Sequence, residues 1–187
     1  MRACARCTDR LAPTRQALAG RRSAIGAVPP PVLHTAKVEP GQSVAVFGVG
    51  GVGLSALAAA AAAGADPVIA VDLVDHKLQF AAEFGATHTI NASNAEPVKA
   101  IWEIAPGGVD YAMDAVGAPT TALQILQAAR QGGPRADNQG GMAVLLGIPV
   151  SDVSVDLNEI LLSQRHYCGS LGATVPDTAL ALHGMGP

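Results

Sequence analysis

Cysteine is scarce in this chain: 187 residues contain three, Cys4, Cys7 and Cys168. A disulfide framework is therefore excluded, and a chain of this length needs none, because it can bury roughly two-thirds of its unfolded surface. Cys4-Ala5-Arg6-Cys7 forms a C-x-x-C, but one pair supplies two zinc ligands where a structural site needs four. No second Cys or His pair stands at suitable spacing. Two thiols in a loose tail are preferred over a metal or redox site. No apolar run of the secretory kind opens the chain. The Arg-rich, acid-poor start has the composition of an organelle transit segment, against which stand Pro13 and Gly20-Arg21. The expected location is cytoplasmic.

Charge is missing from Val44 to Ala65. A helix of that length would cross a bilayer core of roughly 30 Å. Four glycines between Gly48 and Gly53 would cripple one continuous helix, at roughly 1 kcal/mol each relative to Ala. A buried strand followed by a buried helix of small residues explains the same apolarity, so neither a membrane nor a nucleic acid is expected as a partner. Charge is also divided unevenly. Residues 1–37 carry seven Lys or Arg against one acid, net +6, and the remainder carries five against fourteen, net −9.

What is present is most informative from Val44 onward. Val44-Ala45-Val46-Phe47 leads into Gly48-Val49-Gly50-Gly51-Val52-Gly53, an uncharged helical stretch, and then Val68-Ile69-Ala70-Val71 ending in Asp72. The order is strand, glycine turn, helix, strand, acid. Each part answers a need of dinucleotide binding: Gly48 for the tight turn, Gly50 for close approach of backbone N–H groups to a pyrophosphate, Gly53 for close helix–sheet packing. The helix N-terminus offers unpaired N–H donors and the positive end of its dipole. Asp72, with Leu73 beside it, would accept hydrogen bonds from the adenosine ribose and repel a 2′-phosphate, which favours NAD over NADP.

The alternation continues. Helices are expected at Gly51–Ala63, Asp75–Phe84 (closed by Gly85), Ala95–Ile104, Pro119–Arg130 and Leu157–Ser163. Strands are expected at Ser43–Phe47, Val68–Val71, Thr87–Ile90, Val109–Met113, Met142–Leu146 and Tyr167–Leu171. Strands apolar on both faces require a parallel sheet covered by helices on both sides. The fold class is therefore α/β, a doubly wound six-stranded parallel (Rossmann) sheet in the order 3-2-1-4-5-6. Its ligand crevice collects Gly48 to Gly53, Asp72, Ala115 to Gly117 and Gly147 to Pro149 along one edge. Three units follow: a disordered or loosely packed basic arm at 1–31, ending in Pro29-Pro30-Pro31, an NAD-binding domain at 32–176, and a truncated tail at 177–187. The polar, Gly-rich stretch Gly132 to Gly141 is expected to be a mobile surface loop. Val153-Ser154-Val155 reads either as an edge strand that pairs with a second copy into a homodimer, or as a plain loop.

From Val32 to about Pro176 the chain resembles the coenzyme-binding domain of the zinc-type medium-chain alcohol dehydrogenases. The residues that carry the likeness are Val46-Phe47-Gly48-Val49-Gly50-Gly51-Val52-Gly53, Val71-Asp72 with Lys77, Glu83-Phe84-Gly85-Ala86-Thr87, Val109-Asp110-Tyr111 with Ala115-Val116-Gly117, and Leu146-Gly147-Ile148-Pro149. The resemblance implies that Val49 to Val52 line the pyrophosphate and nicotinamide, Asp72 and Lys77 the adenosine ribose, and Val116 the adenine. It further implies Leu146 and Ile148 beside the nicotinamide, with Ser170 and Gly172 offering backbone groups to its carboxamide.

The resemblance also implies zinc, which in that family polarises the alcohol oxygen from a separate domain. The family's zinc-ligand cysteines and His-Glu pair have no counterparts here, and His34, His76, His88, His166 and His183 lack a matching constellation. Neither Tyr111 nor Tyr167 has a Lys four residues on, which removes a Tyr-Lys proton relay. The expectation is an NAD(H)-binding domain of an alcohol dehydrogenase that binds cofactor without turnover by itself, with no metal and no catalytic residue of its own. The alternatives are a non-catalytic nucleotide-binding module that pairs with full-length relatives, and an S-adenosylmethionine methyltransferase.

Overall fold

The structure is a computed structural model, and it describes residues 32, 35–133 and 139–171. The expected arm, the tail, Cys4, Cys7, His34, His183, Gly172 and the centre of the 132–141 loop lie outside the described residues. Six strands form one all-parallel sheet: β1 Val44–Phe47, β2 Val68–Asp72, β3 His88–Asn91, β4 Tyr111–Asp114, β5 Met142–Leu145 and β6 His166–Gly169. Their order is β3-β2-β1-β4-β5-β6, the expected doubly wound topology. The helices are α1 Gly51–Ala62, α2 Asp75–Ala82, α3 Pro97–Ile104, α4 Pro119–Ala128 and α5 Leu157–Ser163.

Alternation along each strand divides the interior into two cores. Val44, Val46, Val68, Ala70, Met113 and Val144 face one side and pack with Leu57, Ala60, Leu78 and Phe84 from α1, α2 and the turn after it. Ala45, Phe47, Ile69, Val71, Ala112 and Ala143 face the other and pack with Ile101, Ile125 and Leu126 from α3 and α4. The uncharged run is thus one strand and one helix whose Ala56 to Ala60 are buried. No helix among the described residues is long and apolar enough to cross a membrane.

Element ends differ from expectation by one or two residues, with identifiable causes. The third helix starts at Pro97 because the Glu96 carboxylate caps it, accepting from Val98 N at 3.1 Å and Lys99 N at 2.6 Å. The fourth stops at Ala128 because Arg130 N turns away to Val109 O at 2.8 Å. The second closes through short-range bonds from Glu83, Phe84 and Gly85 N–H to the carbonyls of Phe80, Ala81 and Ala82. Val109 belongs to no strand but bridges to Ala129, and β4 runs on to Asp114. Val153-Ser154-Val155 is not a strand. Its two valines help enclose a cavity of about 290 Å³ with Tyr167 and Pro149.

Two polar clusters fix the sheet's flanks. Arg165, 5% exposed, donates from Nε to Ala129 O at 2.8 Å and from Nη2 to Gln127 O at 3.2 Å, and its Nη1 meets Glu159 Oε1 at 3.1 Å. It thereby caps the end of α4 and ties α5 to it. Asp110 accepts from Ser43 N at 2.9 Å, Ser43 Oγ at 2.7 Å and Arg130 Nε at 2.7 Å.

Burial by itself would raise the Asp110 carboxyl, but the Ser43 hydrogen bonds and the Arg130 guanidinium outweigh it and hold the pKa below its ordinary value. A depressed folded-state pKa contributes stability that is present above the unfolded value of about 3.9 and is lost as pH falls through the folded value. Asp110→Asn should therefore flatten the acid side of the stability profile: between about pH 5 and pH 3, its unfolding temperature falls less than that of the unaltered chain. Parallel acid limbs would show that Asp110 is not the group responsible.

Candidate functional site: the crevice at the carboxyl ends of the strands

The first strand ends in a turn that only a glycine fits. Gly48 has φ +86°, a left-handed conformation that costs an L side chain energy, and its N–H donates to Val71 O at 2.7 Å. A Cβ on Gly48 would run into Val116 Cγ2, and one on Gly53 would overlap the Gly48 carbonyl oxygen. The turn, the start of α1 and the loop after β4 are therefore in direct contact. Gly50 is the N-cap of α1, with no side-chain cap and no acid in the first turn. The N–H groups of Gly51, Val52 and Gly53 lack intrahelical acceptors by helix geometry, which leaves an uncapped positive helix end at the crevice mouth.

Asp72 closes β2 beside this turn, and its carboxylate is oriented by the protein itself. Oδ2 accepts from Val49 N at 2.9 Å, Oδ1 accepts from Val74 N at 3.1 Å, and Lys77 Nζ stands 3.7 Å from Oδ1. A carboxylate has about four lone-pair sites, so Asp72 keeps capacity toward the crevice. Lys77, 44% exposed against 9% for Asp72, sits at the solvent edge.

Gly48, Gly50, Asp72, Leu73, Lys77, Ala115 and Val116 line one crevice of about 600 Å³ together with Phe47, Val71, Ala92, Pro97, Ala118, Thr120, Thr121 and Gln124. That volume suits a nucleoside-sized ligand. The walls are mostly apolar, and the acid lies at one end. Sequence reasoning missed Ala92 and Pro97 after β3, and Thr120, Thr121 and Gln124 on α4. No motif marks them, and only the crossing of the sheet brings their loops to Gly48. Val49, Gly50, Gly51 and Lys77 border a second depression of about 520 Å³ with Leu54, His76 and Phe80.

The other expected residues lie beyond the first crevice. Val49 spends its N–H on Asp72 and buries its side chain to 2% exposure, so it supports the turn from beneath. Val52 is exposed on the first turn of α1, and Gly53 is buried. Leu146 and Gly147 both donate their N–H groups to Asp114 O at 2.8 Å. Leu146 packs against the first core, while Ile148 is exposed. Ser170 was expected to offer backbone groups, but its N–H is committed to Leu145 O at 2.9 Å as the sheet's hydrogen bonding runs past β6. Its carbonyl remains, and its hydroxyl pairs with Thr35 Oγ1 at 2.8 Å.

Among the described residues no three His, Cys, Asp or Glu side chains approach closely enough to hold a metal ion. His76, His88 and His166 are exposed. Cys168 is half-buried on β6, and burial pushes its thiol pKa up, away from the reactive thiolate.

Comparison with known proteins agrees with this geometry. The family model described as zinc-binding dehydrogenase matches residues 51–183. Alcohol dehydrogenase-like 5 of Arabidopsis thaliana is 39% identical over 140 residues, which cover 73% of this chain and 34% of that protein. The crystal structure of benzyl alcohol dehydrogenase from Acinetobacter calcoaceticus is 32% identical with a TM-score of 0.74, over 88% of this chain and 46% of that one. A Sinorhizobium meliloti 1021 protein described as a zinc-binding dehydrogenase and bound to NADP is 29% identical with a TM-score of 0.69, over 79% of this chain and 43% of that one. The chain thus spans about a third to just under half the length of these relatives.

Proposed function

This chain belongs to the zinc-binding dehydrogenase family, in its nucleotide-binding part, and from that premise we propose that it binds NAD(H) in the crevice between Gly48, Asp72 and Val116. One observation carries the reading: the Asp72 carboxylate is held by Val49 N–H and Val74 N–H at the mouth of a 600 Å³ apolar slot. The adenine would lie against Val116, and the ribose hydroxyls would donate to Asp72. Lys77 accompanies the ribose at the solvent edge. The pyrophosphate would meet the N–H groups of Gly51 and Val52 at the uncapped end of α1, which the close fit of Gly53 on Gly48 holds against the turn.

A carboxylate beside the 2′-hydroxyl accepts its hydrogen bond and repels a phosphate in its place, so NAD is the preferred cofactor. Among the described residues that line the crevice Lys77 is the one cation that could offset that repulsion, but it already faces Asp72. When bound, the nicotinamide ring supplies the hydride acceptor or donor. This chain's part would be to bind and orient: Leu146 and Ile148 would stand beside the ring, and Ser170, whose hydroxyl pairs with Thr35, would offer its carbonyl to the carboxamide.

Zinc does not fit the described residues, because no cluster of ligands is present among them. Oxidation of an alcohol is proposed for the family's complete architecture, with this chain alone binding cofactor without turnover. The purified chain, given NAD, zinc and ethanol or benzyl alcohol, should produce no NADH signal above the protein-free rate. Saturable NADH production would overturn the claim that it is incompetent alone.

A further inference from the structure

Asp114 is the last residue of β4 and is fully buried, 0% exposed, among the side chains of the second core face. The proposed function gives it no part, and no signal in the sequence singles it out. Its Oδ1 accepts from Val116 N at 2.8 Å and from Gly117 N at 3.2 Å. Its main-chain carbonyl accepts from Leu146 N and Gly147 N, both at 2.8 Å. Its Oδ2 is buried with no hydrogen-bond partner among the described residues. A carboxylate oxygen left in that state costs free energy, and such a cost calls for a compensating use of the other oxygen.

That use is visible in what Oδ1 holds. The two amides belong to the loop that walls the adenine slot, and Val116 lies so close to Gly48 that the glycine turn could not carry a side chain. The loop is pinned on its far side as well, where Val150 N donates to Gly117 O at 3.2 Å. One residue therefore holds two neighbouring loops. The carboxylate sets the 115–117 loop on the adenosine side, and the carbonyl sets the 146–147 turn.

We propose that Asp114 is a positioning residue for the adenosine half of the cofactor, its carboxylate setting the width of the slot through Val116 and Gly117. The inference rests on the reading of the crevice as an adenine nucleotide site. Because only the side chain is altered by mutation, loss of the carboxylate frees the 115–117 loop and leaves the hydrogen bonds to Leu146 and Gly147 in place. The effect should fall on the adenosine end of the ligand.

The test is calorimetric titration of the full chain with AMP and with ADP-ribose, for the unaltered protein, Asp114→Leu and Asp114→Asn, with thermal unfolding measured alongside. Asn keeps one acceptor oxygen and should bind both ligands within about threefold of the unaltered chain. Leu, branched like Asp at Cγ but with no acceptor, should bind both at least tenfold more weakly while still unfolding cooperatively. Equal affinity for Asp114→Leu, or equal losses for Leu and Asn, overturns the inference and leaves the crevice reading standing. No binding of either ligand by the unaltered chain overturns both. If Asp114→Leu does not fold, amide hydrogen exchange of the unaltered chain decides. Val116 and Gly117 should exchange slowly and slow further with ADP-ribose, whereas fast exchange at both, with or without ligand, counts against Asp114.

Discussion

Asp72→Ala is expected to weaken NADH binding about 10- to 100-fold, from the roughly 1.5–3 kcal/mol carried by hydrogen bonds to a charged group. The loss has two sources. The ribose loses its acceptor, and Val49 N–H and Val74 N–H, which now hold the carboxylate, lose theirs and are free to pull the turn out of shape. NADPH should respond differently, because removing the carboxylate removes a repulsion and releases Lys77, now 3.7 Å from Asp72, to face the 2′-phosphate. Titration of both cofactors should show their affinities converging in the variant. An unchanged NADH affinity would take Asp72 out of the site.

Gly53→Ala should damage the fold itself. The added Cβ would overlap the Gly48 carbonyl oxygen and stand 3.4 Å from Val46 Cγ1. The first obstacle is backbone, so no side-chain rotation relieves it, and either α1 lifts from β1 or the Gly48 turn rotates. Overpacking of this kind costs about 1–3 kcal/mol, more than the roughly 1 kcal/mol that alanine gains over glycine in a helix. A drop of several degrees in unfolding temperature is expected, together with loss of NADH binding. Gly50→Ala is the informative contrast. Its φ is −76°, and its Cβ would meet nothing within 4 Å, so stability should change by less than about 0.5 kcal/mol. Its methyl would nevertheless stand where the pyrophosphate approaches, and binding should fall. If Gly53→Ala were as stable as the unaltered chain, the close helix–strand contact would be wrong.

The glycine turn was legible in the sequence because Gly48 and Gly53 answer local backbone requirements that no other residue meets. Asp72 was legible because it follows an apolar strand at a fixed interval. Asp114 was not. An acid after an apolar run reads as the end of a strand, and its burial depends on amides that the next loop supplies only once folded. Thr120, Thr121 and Gln124 were hidden for the same reason, since nothing in the order of residues links α4 to Gly48. Ser170 shows the converse limit. A family likeness implied backbone groups offered by Ser170, and only the register of β5 with β6 shows that its N–H is used within the sheet. Val153 and Val155 alternate as strand residues do, but alternation records only which side of the chain is buried, and here that side covers Tyr167.

The most direct test of the central claim is a calorimetric titration of the unaltered chain with NADH, NADPH and S-adenosylmethionine in turn. Saturable binding of NADH, weaker binding of NADPH and no response to S-adenosylmethionine are the predicted result. No binding of NADH, or tighter binding of S-adenosylmethionine, would contradict the account.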